Sequence, residues 1–238
     1  MTKRLFRTLE VFHDQASHSG AMNMAIDEAM LELAPAPLVR FYRWQSPALS
    51  FGYFGRFADV ANHQGQRDLV RRWTGGGIVF HGNDLTYSLV IPANHVVFAE
   101  SAAAIYQKIH SALVDALAET GQRGVVAADA GRDSWQASSM SVNAGISHAD
   151  YSCFANPVRS DVIMNGRKVA GAAQRRTRRG LLQQGSIQGV DLGNRLAVRF
   201  AHALATNCHE YRRNDDLLKR ASELAQQKYA TEVWLRKR

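Results

Sequence analysis

Apolar residues in this chain recur with a helical period in some stretches and a strand period in others. Met22, Ile26, Met30 and Leu33 share one face at helical spacing. They predict a helix from Met22 to Leu33, stopped by Pro35 and Pro37. Asp27 and Glu28 fall inside it and read as solvated or structurally hydrogen-bonded groups, not catalytic ones. Leu38–Trp44 and Ala48–Tyr53, joined by Ser46-Pro47, have the aromatic and branched content of strands. Leu69–Arg72 reads as a strand leading into three glycines. Leu85, Tyr87, Leu89 and Ile91 alternate with Thr86, Ser88 and Val90, the clearest strand signal in the chain. Ile105, Ile109, Leu113 and Leu117 predict a helix over Ala102–Glu119 that Gly121 ends.

Further on, Gly131 to Ser147 is rich in Gly, Ser, Asn and Ala and reads as a long loop. Asn165-Gly166 between Asp161–Met164 and Lys168–Ala173 predicts a hairpin. Leu181–Ile187 reads as another strand. From Asn194 the pattern turns helical, first over Leu196–Leu204 and then along a stripe of Leu217, Leu218, Ala221, Leu224 and Ala225. Cys208 falls in this polar, helical stretch and receives no role. There is no internal repeat and no clear domain boundary.

Composition narrows the picture. The chain has 238 residues, of which 46% are hydrophobic and 21% charged, ordinary values for a globular protein. No apolar run is long enough to span a bilayer, and Met1–Arg7 lacks the apolar stretch of a signal peptide. Two cysteines are too few for a disulfide framework and read as reduced, which points to the cytoplasm. The net charge of +8 and pI of about 9.8 favour acidic partners, either nucleic acid or an acidic carrier protein. The densest basic run, Arg175-Arg176-Thr177-Arg178-Arg179, adjoins a glycine-containing segment instead of forming a tail.

Two segments suit a small-molecule site. One is Arg71-Arg72-Trp73-Thr74-Gly75-Gly76-Gly77 through His81, the other Gly166-Arg167-Lys168-Val169-Ala170-Gly171 through Arg176. Glycine lets backbone approach a ligand, and arginine and lysine supply fixed positive donors. The glycines are followed by no Lys-Ser/Thr, so they form no Walker loop. They are not the start of a dinucleotide fingerprint either. Taken singly, His81 reads as a structural histidine, Lys168 as a strand lysine reaching water, and Cys153 as a small buried hydrophobe. A nucleophilic Cys153 needs positive neighbours to form its thiolate. No His/Cys cluster has metal-ligand spacing, and no GxSxG elbow is present.

With these segments in order, the chain resembles the lipoate–protein ligase and octanoyltransferase family. Met22–Glu28 is similar to the family's first helix, Phe51-Gly52-Tyr53-Phe54 to an early strand, and Arg71–His81 to its acyl and carboxyl loop. Gly166–Gly171 with Gln174 is similar to the strand bearing the family's lysine, and Gln184-Gly185-Ser186-Ile187 to the strand that closes the pocket. The resemblance runs from about Phe12 to Ile187. It implies an α+β fold of the biotin/lipoate protein ligase type, a mixed β-sheet flanked by helices, with 1–238 forming one catalytic domain and no accessory domain.

Ser152-Cys153-Phe154-Ala155-Asn156-Pro157 is similar to the nucleophile segment of the cysteine-dependent octanoyltransferases. That likeness implies Cys153 and Lys168 as catalytic residues. It also implies substrate contacts from Arg72, Trp73, Thr74, Gly75, Gly76, Gly77, His81, Gly171, Gly185 and Ser186, with the acyl tail near Trp73. The expected donor is an acyl carrier protein, and the expected acceptors are lipoyl domains of 2-oxoacid dehydrogenases or the glycine cleavage H protein. No metal or cofactor is needed on this reading, no membrane or nucleic acid is involved, and the enzyme is a cytoplasmic monomer. Two alternatives stay open. An ATP- and Mg-dependent ligase would use Lys168 on a lipoyl-adenylate and leave Cys153 a bystander. A non-catalytic module would only bind acidic carrier domains or nucleic acid.

Overall fold

Strands at the centre of this protein are buried along both faces because both faces of its main sheet are covered. The computed structural model describes residues 4–127, 158–193, 195–212 and 214–237. In chain order the elements are β1 (Phe6–His13), α1 (Gly20–Leu33), β2 (Leu38–Tyr42), β3 (Ala48–Phe51), β4 (Asp68–Arg71), β5 (Val79–His81), β6 (Leu85–Pro92) and α2 (Ala102–Glu119). There follow β7 (Val125–Val126), β8 (Val162–Met164), β9 (Arg167–Arg176), β10 (Gly180–Ile187), α3 (Leu196–Leu204), β11 (Ala205–Glu210), α4 (Asp215–Leu224) and α5 (Glu232–Leu235). The fold is α+β. A mixed sheet of order β11-β1-β2-β6-β10-β9-β8-β7 is flanked by helices, with a small β4-β3-β5 sheet beside it.

Alternation along β6 divides the core. Tyr87, Leu89 and Ile91 join α2 and α3 on one face, where Ile105, Ile109, Leu113 and Leu117 are fully buried. Val90 faces the other way, with Leu38, Leu182, α1 and α4. Thr86 and Ser88 are buried too. Helix α2 matches its predicted bounds, with Ser101 capping its first turn and Gly121 at φ +83 just beyond its end. The β8–β9 hairpin turns on Asn165 and Gly166, at φ 50 and 73, the left-handed pair that a two-residue turn requires.

Several expectations are corrected. Strand β1 was not foreseen, nor was the three-residue β5. Ala205–Glu210 is a strand, so Cys208 lies in β11, parallel to β1, and not in a helix. The polar edge residues of β11 carry no strand periodicity of their own. In α1, Leu33 is 47% exposed, while Asn23, Asp27 and Glu28 are buried. The helix is enclosed on most sides rather than along one apolar stripe. Strand β2 stops at Tyr42, with Trp44 forming an isolated bridge to His18. Strand β9 continues past Ala173 to Arg176. The Gly131–Ser147 stretch lies outside the described residues. No helix among the described residues is long and apolar enough to cross a membrane.

A buried polar centre ties α1 to the sheet. The Arg40 guanidinium donates to Asp14, Asp27 and Asn23, with distances of 2.7–3.2 Å. Asp27 also accepts from Tyr42, Ser88 and Gln184. Asp27 is therefore a structural hydrogen-bonding group, and its charge is compensated inside the protein.

On the opposite face, His110 Nδ1 donates to the Ser160 carbonyl at 2.6 Å, which leaves Nε2 to accept from Tyr87 at 3.1 Å. Burial pushes His110 down to about 4. The unfolded chain therefore takes up this proton first, near the ordinary histidine value. Stability is complete above about pH 6.5 and falls as pH drops towards 4, by about 3 kcal/mol for this group. Denaturant melts at pH 7 and pH 4.5 should show a loss of that size, and His110→Gln should flatten the dependence. An unchanged pH slope in that variant would contradict the assignment.

Candidate active site

The small sheet, β9–β10 and α1 line a pocket that opens to solvent. Its lining includes Met24, Tyr42, Trp44 and Val79 as apolar or aromatic walls. Of the residues singled out from sequence, Arg72, Gly76, His81, Lys168, Gly171, Gly185 and Ser186 meet there. They come from three strands, β5, β9 and β10, and the loop after β4.

Glycines in this pocket have identifiable steric causes. Gly171 faces Lys168, and a Cβ there would lie 2.5 Å from Lys168 Cε and 2.7 Å from Nζ. The absence of that methyl is what lets the ammonium fold back against β9. Gly185 leaves room for Tyr87, whose ring would otherwise sit 2.4 Å from a Cβ. Gly76 adopts φ +84 and packs between the Arg72 guanidinium and Ala173.

The lysine is buried, not solvent-facing. Lys168 Nζ pairs with Asp161 Oδ2 at 2.7 Å, both side chains nearly inaccessible. Asp161 also accepts from the Tyr106 hydroxyl at 2.6 Å and the Val158 amide at 2.7 Å. Tyr106 in turn accepts from the Ala172 amide at 2.9 Å, so its hydroxyl locks β9 beside the ion pair. Burial, and next the Asp161 charge, push Tyr106 well above the ordinary tyrosine range, which keeps it a neutral donor. Asp161 and Tyr106 are functional candidates that sequence reading missed. Asp161 was visible only as a strand start, and Tyr106 lies 55 residues away on α2.

Backbone bonds Ala127 N–Asp161 O, Ser160 N–Ala127 O and Asp161 N–Val158 O fasten Ala127 to the 158–161 turn. The two chain positions that bracket residues 128–157 therefore meet beside Lys168. Cys153 itself lies outside the described residues.

His81 sits in a hydrogen-bonded series. Its Nδ1 meets Asp84 at 2.8 Å and its Nε2 meets Ser50 Oγ at 2.7 Å, while the ring stacks on Trp44 at 4.0 Å. Burial holds His81 below its ordinary value despite Asp84, so it is neutral near pH 7. The order Ser50–His81–Asp84 has the connectivity of a hydrolytic triad. Ser50, however, is fully buried in β3 and accepts from Arg72 Nη1 at 2.7 Å. Arg72 Nη2 reaches the carbonyls of Gly75 and Gly77 at 3.0 and 2.8 Å. The series therefore fixes Arg72 and, through it, the shape of the glycine loop.

Thr74, Gly75 and Gly77 lie outside the pocket lining. Thr74 is fully buried and donates to Gln184 Oε1 at 2.7 Å, which links the loop to Asp27 on α1. Trp73 also lies outside it, beneath the cations of Arg175 and Lys228. Among the described residues no group of three or more His, Cys, Asp or Glu is placed to hold a metal ion.

This protein belongs to the lipoyl protein ligase A/B catalytic domain family, whose model matches residues 19–211. Octanoyltransferase LipM of Oceanobacillus iheyensis is 34% identical to it over 184 residues, which is 74% of this chain and 62% of that protein. LipM of Carboxydothermus hydrogenoformans is 37% identical over 184 residues, covering 74% and 63%. The chain thus spans about three fifths of the length of these curated relatives. Lipoate-protein ligase A bound with ATP superposes with a TM-score of 0.71 at 18% identity, over 97% of this chain and 98% of that one. A bipartite lipoate protein ligase from Thermoplasma acidophilum gives 0.69 at 18% identity, over 98% and 96%. At those identities the structures bear on the fold alone.

Replacing Thr74 by valine keeps the shape and leaves Gln184 Oε1 without this donor. Stability measured by denaturant titration should fall by about 1–3 kcal/mol. An unchanged midpoint would remove Thr74 from the frame that holds the loop.

Proposed function

We propose that this chain is an acyltransferase that moves an octanoyl group from a carrier-protein thioester to a lysine of a lipoyl domain. The observation that carries this reading is a buried ammonium in the wall of a pocket with largely apolar sides, held by a carboxylate and by the gap at Gly171. The 34–37% identity to LipM octanoyltransferases supports the chemistry over the other activities of the family.

The acyl tail lies against Met24, Tyr42 and Trp44, with its carbonyl at Lys168. The Cys153 thiolate attacks that carbonyl and the carrier's thiolate leaves, giving an octanoyl-enzyme thioester. Lys168 faces the oxygen on which negative charge develops and lowers that barrier electrostatically. The acceptor lysine, as its free amine, then attacks. An amide forms, the Cys153 thiolate is released, and the amine's proton passes to solvent or to the thiolate. The thioester is already activated, so this route needs no ATP and no metal.

Intact mass spectrometry after incubation with octanoyl-acyl carrier protein, without ATP, tests the route. The wild type should gain one octanoyl group, and Cys153→Ala none. No adduct on either protein, together with lipoate-dependent ATP–pyrophosphate exchange, would establish an ATP-using ligase instead.

Gly171→Ala tests the position of the ammonium. The new methyl would lie 2.5 Å from Lys168 Cε, 2.7 Å from its Nζ and 3.2 Å from Asp161 Oδ1, so the ammonium moves off its position and its ion pair is disturbed while the fold persists. Thermal melting should fall by several degrees, because a buried ion pair is disturbed, and kcat/KM should fall about a hundredfold, the scale expected for a misplaced catalytic group. Full activity in this variant would argue against the role given to Lys168.

A further inference from the structure

Beside the glycine loop lies a cluster of cations and aromatic rings that the chemistry above does not use. Arg175 sits over the rings of Trp73 and Tyr53, at 5.1 and 5.2 Å. Lys237 Nζ meets the Tyr53 hydroxyl at 2.6 Å and lies over its ring. Lys228 stacks on Trp73 and Trp234 and pairs with Glu28. At the edge, Phe54 contacts Tyr53 edge-on and is 84% exposed. Arg178 is exposed at the tip of the β9–β10 hairpin. No carboxylate among the described residues pairs with Arg175, Arg178 or Lys237. An exposed aromatic packed on a ring that two cations cover, with no carboxylate among the described residues beside them, has the composition of a docking surface.

The cluster is continuous with the pocket. Gly76 and Ala173 line the pocket and nearly touch each other. Arg175 is the next residue after Ala173 on the same face of β9. Tyr53 N donates to the Thr74 carbonyl at 2.9 Å, which fastens the platform to the glycine loop.

We propose that Phe54, Arg175, Arg178 and Lys237 form the docking surface for an acidic acyl carrier protein that delivers the octanoyl thioester. The partner rests on the transferase reading; the surface rests on the geometry above. Charge complementarity selects an acidic partner, since the whole chain carries +8 and this rim carries cations without counter-charges among the described residues. Distance selects the donor over the acceptor. Along β9, Arg175 lies about 13 Å from Gly171, where the Lys168 ammonium sits. That span exceeds a lysine side chain and suits a thiol-bearing arm reaching in from a protein docked on the rim.

The test uses the full chain, its Arg178→Glu/Lys237→Glu double variant and Phe54→Ser. Fluorescence anisotropy reads binding of labelled octanoyl-acyl carrier protein, and mass spectrometry reads acyl loading from that carrier and from octanoyl-pantetheine. Circular dichroism melts confirm folding. Carrier binding should weaken about tenfold in the double variant and lose most of its salt dependence, and should also weaken in Phe54→Ser. Loading from octanoyl-pantetheine should be unchanged. Equal carrier binding by wild type and variants would overturn the docking surface, whatever the loading assay gives. So would a charge-dependent defect seen only with a lipoyl domain, which would give the rim to the acceptor. If the wild type loads from neither thioester yet binds the carrier through these residues, the surface stands and the transferase reading fails.

Discussion

An ammonium taken out of water must be compensated where it lies, and that requirement shapes one side of this pocket. Lys168 is held by Asp161, and Asp161 is held by Tyr106 and the Val158 amide. A buried ion pair contributes little net stability, because desolvation offsets the attraction. Breaking it by removing one partner is costly. The pair is better understood as a device that keeps a positive charge in place. Its satisfied hydrogen bonds mean that little reorganisation is needed when a substrate oxygen becomes negative.

A second constraint acts from the opposite wall. Arg40 places all five of its N–H groups on Asp14, Asp27 and Asn23. Through Asp27, Gln184 and Thr74 the same network reaches the glycine loop. Asp84, His81, Ser50 and Arg72 form a parallel series to Gly75 and Gly77. Burial raises Asp84, but the His81 bond and those from Ser186 and Gly82 hold it below the usual carboxylate range, so it stays an acceptor. The loop is therefore braced at both ends by neutral or compensated groups, and the pocket keeps its shape without placing a further free charge in its apolar part.

Local pattern made much of this legible. The stripe Ile105–Leu117 gave α2, and Asn165-Gly166 gave the β8–β9 turn, because each is a short-range signal with a steric or solvation cause. Arg72, Gly76, His81, Lys168 and Gly171 were found as motif residues, and the fold does bring them to one pocket. What stayed hidden depends on contacts distant in sequence. β11 is polar at an edge and becomes a strand only by pairing with β1. Asp161 and Tyr106 look like ordinary strand and helix residues until the fold sets them against Lys168. Ser50 and Gln184 gain meaning only as links between the loop and the core. The basic run near Arg175 was legible as charge, but not as a rim shared with Tyr53 and Phe54.

The most direct test of the central claim removes the charge and keeps the shape. Lys168→Met leaves Asp161 without its partner and should lose about 3–5 kcal/mol of stability, so it is compared at a temperature where circular dichroism shows it folded and calorimetry shows octanoate bound in the pocket. In a single-turnover reaction with octanoyl-acyl carrier protein it should form the enzyme adduct at least about a thousandfold more slowly than the wild type. Adduct formation at the wild-type rate would contradict the account, since the buried ammonium would then have no part in the chemistry.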